Sequence, residues 1–250
     1  MSGKTTQMLL SAALLCENQK SCYSVNIGSD DTFCRRLKTV QRGNAMRRAL
    51  IVVDLQNDFC PQGALAVPGG DQVVEIANEL LAEIPLSVLT QDWHPEGHVS
   101  FASSYGRKPL ELDDSTNPPH VLWPDHCVAG SKGADFHPGL KTDRAKLIIR
   151  KGFSLNLDSF SAFFENDGTT PTGLAGWLST LGAGQVVVMG LATDYCVKAT
   201  ALDARKLGLE VIVVTDGVRA VNAQPGDGEA ALEAMKEAGC TLLKLKEILA

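Results

Sequence analysis

A chain of 250 residues, 44% of them hydrophobic and 21% charged, is long enough to bury a substantial core without disulfide staples. Its glycine and proline content is ordinary, which excludes collagen-like and wholly disordered chains, and no apolar run reaches the ~18–20 residues of a membrane span. A formal net charge of −6 argues against a general nucleic-acid binder, and seven cysteines with no CxxC pair point to a reducing, cytoplasmic setting rather than a disulfide scaffold.

Residues 1–45 stand apart, with six basic and three acidic side chains; the remainder carries the negative charge. The apolar stretch 8–16 is short and lacks a clear cleavage site. Gly3-Lys4-Thr5-Thr6 resembles part of a phosphate loop but lacks the preceding strand and upstream glycine. The segment reads as a flexible extension, with organelle targeting as the alternative, and 46–250 as one domain.

The apolar, β-branched run 49–53 predicts a buried strand ending in Asp54. Residues 71–83 predict a helix with Val73, Val74, Ala77, Leu80 and Leu81 on one face. A short strand, 87–90, runs into a proline-rich loop, 92–143, that contains all five histidines. Then follow a strand at 146–150, a helix at 172–181, a strand at 185–189, a helix at 194–207 and a strand at 209–215. A helix at 228–238 and a strand at 241–244 complete the pattern. Apolar strands alternating with helices predict a single-domain, Rossmann-like, three-layer α/β/α fold with a mainly parallel sheet.

In such sheets ligands bind at the carboxyl ends of strands. Those ends deliver Asp54, Asp92 with His94, Lys151, and a turn running from Gly190 to Cys196. Taken singly, each has an ordinary role: a turn aspartate, a surface lysine, a buried thiol, and Asp194 as a helix cap. Taken together they suit nucleophilic catalysis, with a thiol whose pKa a neighbouring ammonium and helix N-terminus would lower. Asp54 would move the proton, and backbone N–H groups before Cys196 would hold an oxyanion.

Asp92 and His94, two apart, point the same way if extended. With His126 and His98 nearby they suit Zn²⁺, Fe²⁺ or Mn²⁺ with open positions; loop histidines without a metal are the alternative. His120 and His137 have no carboxylate at comparable spacing and read as bystanders. Cys127 is set aside because its side chain should point away from that of His126.

The segments Asp54-Leu55-Gln56-Asn57-Asp58-Phe59, Asp92-Trp93-His94-Pro95, Trp123-Pro124-Asp125-His126-Cys127, Arg150-Lys151-Gly152 and Gly190-Leu191-Ala192-Thr193-Asp194-Tyr195-Cys196-Val197 resemble the nicotinamidases. These are a branch of the isochorismatase-like cysteine hydrolases. The likeness runs from about residue 47 to the C-terminus and omits 1–45. It implies a triad of Asp54, Lys151 and Cys196, with oxyanion-hole amides from Ala192 and Cys196. Phe59 and Trp123 would flank the substrate ring, and the Leu191–Ala192 peptide would be cis. It also implies one divalent metal ion, Zn in the first instance with Fe or Mn as alternatives, on Asp92, His94 and His126. In part of the family a histidine matching His98 binds as well. The implied reaction is hydrolysis of nicotinamide, with pyrazinamide as analogue, to the acid and ammonia, in NAD recycling. The small-molecule substrate is the partner expected, with no nucleic acid and no membrane; a homo-oligomer stays open. The competing readings are another amidohydrolase of the same superfamily and a non-catalytic binding protein on the same scaffold.

Overall fold

The structure is a computed structural model and describes residues 47–114 and 120–250. The expectations for 1–45 lie outside the described residues. Strand β1 (Arg47–Val53) is buried over its last five residues, as a β-branched run covered on both faces should be. Helix α1 (Val73–Glu83) buries the five apolar positions read from the sequence and stops at Ile84, just before Pro85. Strand β2 (Ser87–Asp92) is buried throughout. Within the loop-rich stretch, β3 (Leu112–Asp113) and β4 (His120–Val121) form a small antiparallel pair that the sequence did not announce. Strand β5 (Leu147–Lys151) follows, then α2 (Leu174–Thr180) and the nine-residue β6 (Ala183–Leu191). Helix α3 (Lys198–Lys206), strand β7 (Glu210–Arg219), helix α4 (Asp227–Glu237), strand β8 (Thr241–Leu243) and a short α5 (Leu245–Ile248) complete the fold.

The six strands of the main sheet lie in the order β5-β2-β1-β6-β7-β8, and every pairing among them is parallel. Side-chain alternation splits the apolar residues between two cores. Ala49, Ile51, Val53, Val186 and Val188 face one core with residues of α2, α3 and α4. Leu50, Val52, Val187, Met189 and Leu191 face the other with α1 and α5. This is the expected three-layer α/β/α arrangement. The chain builds outward from β1 through β2 to β5, then returns to β6 on the other side of β1. That reversal is the switch point at which open parallel sheets bind ligands.

Gly190 makes the switch point possible. It pairs with Val53, has φ +115°, and an added Cβ would collide with the Val53 backbone oxygen. Only glycine lets β6 run this close to the end of β1. Strand β7 is longer than the predicted 209–215: a register irregularity opposite Val188–Gly190 lets its last residues, Val218 and Arg219, pair with Gly190 and Leu191.

Candidate active site and metal centre

Four strand ends converge above the sheet. Asp54 follows β1 in the left-handed region at φ 48°, where aspartate is tolerated better than most residues. Its Oδ1 accepts a hydrogen bond from Thr90 Oγ at 2.6 Å, and its own N–H donates back to that oxygen at 3.1 Å. Thr90, on β2, thereby fixes both the backbone and the carboxylate of Asp54. Lys151 ends β5 and is fully buried. Its Nζ lies 2.9 Å from Asp54 Oδ2. It donates to Asp92 Oδ1 at 2.5 Å, to the Ser159 carbonyl at 3.0 Å and to Cys196 Sγ at 3.4 Å.

Charge in this cluster is set by burial against pairing. Burial alone would discharge so deep an amine, but Asp54 and Asp92 reverse this and hold the Lys151 ammonium well above the usual lysine value. Burial pushes the Asp54 carboxyl up, with Lys151 opposing and Asp92 adding to the rise. Burial also works against charge on Asp92, yet Lys151 and His94 outweigh it and keep its carboxyl well below the carboxylate range. The Cys196 thiol, 7% exposed, is pushed well above its ordinary value, first by burial and then by Asp54 and Asp92 against Lys151. The expected lowering of this pKa is therefore corrected. The ammonium is already matched by two carboxylates, so the resting group is the protonated thiol.

Cys196 sits on a π-helical turn, Thr193–Val197, ahead of α3, where the sequence predicts one continuous helix. Such turns recur at functional sites. The Ala192 carbonyl accepts from Tyr195 N–H at 3.2 Å and Val197 N–H at 3.1 Å, and the Leu191–Ala192 peptide is cis. Asp194 is not the helix cap: its carboxylate accepts from Val221 N–H at 3.0 Å and Asn222 N–H at 2.8 Å. It ties the loop after β7 to the turn that carries Cys196.

Asp92, His94 and His126 each offer a donor atom, all within 4.8 Å of one another. His94 Nε2 is 3.6 Å from Asp92 Oδ2. His94 Nδ1 lies 2.8 Å from the Gly152 carbonyl, and His126 Nδ1 lies 2.8 Å from the Pro124 carbonyl. Each ring therefore donates from Nδ1 and turns Nε2 toward the site, the arrangement that orients metal-binding imidazoles. Burial, helped by His94, lowers the His126 pKa to about 4, so this ring is a neutral donor at physiological pH. One carboxylate and two oriented imidazoles fit a divalent cation that keeps positions open for water or substrate. His98 stands apart from this trio. Its ring stacks on His94 with centroids 4.2 Å apart. Its nitrogens meet Ser100 Oγ at 2.8 Å and the Leu157 carbonyl at 3.3 Å. It groups instead with His94 and Asp158. His120 lies on β4, His137 accepts from Gly139 N–H, and neither groups with these ligating residues.

Above these groups opens a small pocket with about 380 Å³ of free space, counted out to its mouth and into open solvent. Asp92, His94, His126, Asp158 and Cys196 line its polar side. Phe59, Trp123, Phe160 and Tyr195 line the aromatic side, with Leu65, Ala192 and Val221 between. Trp123 and Tyr195 meet edge to face at 4.9 Å.

Several residues escaped the sequence reading. Gln56, inside the quoted first motif, pairs with the Asp92 backbone in both directions at 2.8 Å. It holds the end of β2 where the β1–β2 ladder has stopped. Phe101 packs edge-on against His94, His98 and His126 at 5.5–5.6 Å. Thr90, Ser159, Asp158 and Phe160 carry no spacing signal that would have singled them out.

The isochorismatase domain family matches residues 48–247. The chain is 47% identical to the nicotinamidase of Escherichia coli (strain K12) over 204 residues, covering 80% of this chain and 96% of that protein. An Acinetobacter baumannii nicotinamidase/pyrazinamidase structure superposes with a TM-score of 0.78 at 42% identity, covering 82% of this chain and all of that one. The pyrazinamidase of Pyrococcus horikoshii in complex with zinc superposes with a TM-score of 0.65 at 39% identity, covering 79% of this chain and 99% of that one. The chain belongs to the isochorismatase family.

Proposed function

We propose that the protein is a nicotinamidase, hydrolysing nicotinamide to nicotinate and ammonia through a thioester on Cys196, in the recycling of NAD. The observation that carries the reading is the position of Lys151 Nζ, 2.9 Å from Asp54 and 3.4 Å from Cys196 Sγ, beneath a small aromatic pocket. The identity to a curated nicotinamidase supports the substrate.

In this account Asp54, whose proton affinity burial has raised, takes the thiol proton as Sγ attacks the carboxamide carbon. Lys151 stays charged and stabilises the emerging thiolate. The backbone N–H groups of Ala192 and Cys196 donate to the oxyanion, where each lost donor costs about 2.7–4 kcal/mol. As the C–N bond breaks, Asp54 returns the proton to the leaving nitrogen and ammonia departs. Asp54 then takes a proton from water, whose oxygen attacks the thioester carbonyl. Nicotinic acid leaves and ionises to nicotinate in water, and Asp54 returns its proton to Sγ.

Asp92, His94 and His126 would hold a divalent ion, which when bound supplies a Lewis-acid anchor for the pyridine nitrogen. Zinc is the ion we favour, since a relative is described in complex with zinc; Fe²⁺ and Mn²⁺ suit the same donors. His98 would join only by giving up its Ser100 or Leu157 partner. Phe59 and Trp123 would sandwich the ring. The intact Asp54–Lys151–Cys196 cluster argues against a non-catalytic binding protein. Ammonia release from nicotinamide and from pyrazinamide by the purified full chain tests the reading. Turnover of both supports it, and no release from either by metal-loaded protein overturns it.

A further inference from the structure

The backbone of Cys127 supports both imidazoles of the candidate metal centre. Its carbonyl accepts from His94 N–H at 3.0 Å, and Ala129 N–H donates back to the His94 carbonyl at 2.8 Å. His126 is its neighbour in the chain. His94 and His126 therefore depend on one short segment, 126–129. Cys127 is fully buried and stands in the left-handed region at φ 46°, which is uncommon for a residue with a side chain. Such a conformation persists only where its surroundings hold it.

Asp58 supplies the hold. Its Oδ2 accepts from Cys127 N–H at 2.7 Å, and its Oδ1 accepts from Ala64 N–H at 3.1 Å. Its carbonyl accepts from Leu65 N–H at 3.0 Å, and its N–H donates to the Gly133 carbonyl at 3.0 Å. Leu65 and the adjacent Phe59 line the pocket. One residue thus ties the pocket wall to the segment beneath both imidazoles, 69 positions away in the chain. Gly133 leaves room for the tie: a Cβ there would collide with the Asp58 carboxyl group, which supplies its three nearest atoms. The bonds of Lys151 run elsewhere, to Asp54, Asp92, Ser159 and Cys196.

Resting on the nicotinamidase reading, we propose that Asp58 is a positioning residue that holds Cys127 in its left-handed conformation and so sets His94 and His126 against the wall formed by Phe59 and Leu65. It governs how firmly the metal and the substrate ring are held, and leaves the Lys151–Cys196 pair as it is. Indirect partners of a metal site are worth about 10–100-fold in metal affinity or activity.

The test compares Asp58→Ala, Asp58→Asn, Gly133→Ala and the double variant carrying Asp58→Ala with Gly133→Ala, all in the full chain. Zn²⁺ retention is measured by competition against a chelator of known affinity. At saturating Zn²⁺, kcat and KM for nicotinamide are measured separately. Asp58→Ala is expected to weaken Zn²⁺ retention about tenfold or more and to raise KM about tenfold, with kcat within about twofold. Asp58→Asn keeps one acceptor but turns an amide donor toward the other N–H, and should fall between Asp58→Ala and wild type. The Gly133 backbone lies outside the left-handed region, so the Asp58 carboxyl is what opposes a methyl there. Gly133→Ala should therefore reproduce the losses of Asp58→Ala, yet add less than about twofold once that carboxyl is gone. Wild-type Zn²⁺ retention in a folded Asp58→Ala protein overturns the proposal, as does a loss confined to kcat. Losses from Gly133→Ala that multiply in full with those of Asp58→Ala overturn it as well. Should Asp58→Ala fail to fold, Asp58→Asn and Gly133→Ala decide: weakened Zn²⁺ retention in both supports the proposal, and wild-type retention in either overturns it. A wild-type chain that retains Zn²⁺ but releases no ammonia overturns the nicotinamidase reading alone. One that turns over nicotinamide yet retains no Zn²⁺, Fe²⁺ or Mn²⁺ overturns this proposal alone.

Discussion

At the scale of the residue, chemistry here is governed by how few charges the buried cluster can hold. One ammonium faces two carboxylates and a thiol, and the thiol is the group that stays neutral. Sequence reasoning brought Asp54, Lys151 and Cys196 together as neighbours but expected a lowered thiol pKa where burial and the carboxylates raise it. It weighed the ammonium without the second carboxylate, Asp92, that shares it at 2.5 Å. Two expectations belong at this scale. Cys196→Ala should abolish ammonia release while leaving the unfolding midpoint within a few degrees of wild type; release at the parent rate would remove the thiol from the mechanism. Lys151→Met should do more than stop turnover. It leaves Asp54 and Asp92 buried and facing each other, and breaking a buried ion pair costs about 3–5 kcal/mol. Urea denaturation at neutral pH should show a loss of that order, and an unchanged midpoint would contradict the burial argument.

At the scale of the element, the strand ends do the positioning. The predicted strands lie where hydrophobic runs put them because β-branched stretches buried on both faces leave little ambiguity. The end of β7 was not legible: Asp216 and Gly217 interrupt the apolar run, and only the irregular pairing with β6 carries it to Arg219. The π-helical turn under Cys196 was equally hidden, because its sequence continues the apolar period of α3. Asp194 looked like a cap because residue type and position fit one; its bonds to Val221 and Asn222, 27 and 28 residues away, leave no local trace. Gly152→Ala should be disproportionately harmful, since the new methyl meets the His94 ring and the backbone lies at positive φ. Loss of Zn²⁺ retention together with about 1–3 kcal/mol of stability is the expected outcome, read by chelator competition and denaturation. Asp194→Ala should lower kcat and loosen the loop at Val221–Asn222, visible as faster amide exchange there.

At the scale of the molecule, two apolar cores clamp a parallel sheet whose switch point carries the site. No helix among the described residues is long and apolar enough to cross a membrane. Asp92 joins the proposed metal trio to the proposed triad, through Oδ2 toward His94 and Oδ1 toward Lys151, so in this account the anchor for the ring and the charge behind the nucleophile are one network. Much of this was legible from short motifs at strand ends, since they state residue type and place together. The supports were not, because Thr90, Gln56 and Ser159 are common residue types whose meaning comes only from distant contacts. Stripping the metal with a chelator should abolish ammonia release with the far-ultraviolet circular dichroism intact, and Zn²⁺, Fe²⁺ or Mn²⁺ should restore it. The most direct test of the central claim is intact-mass analysis of enzyme quenched in acid during turnover of nicotinamide. The account predicts one nicotinoyl group on the wild-type chain, mapped to Cys196 and missing from Cys196→Ala; steady ammonia release with no adduct, and the same release from Cys196→Ala, would contradict it.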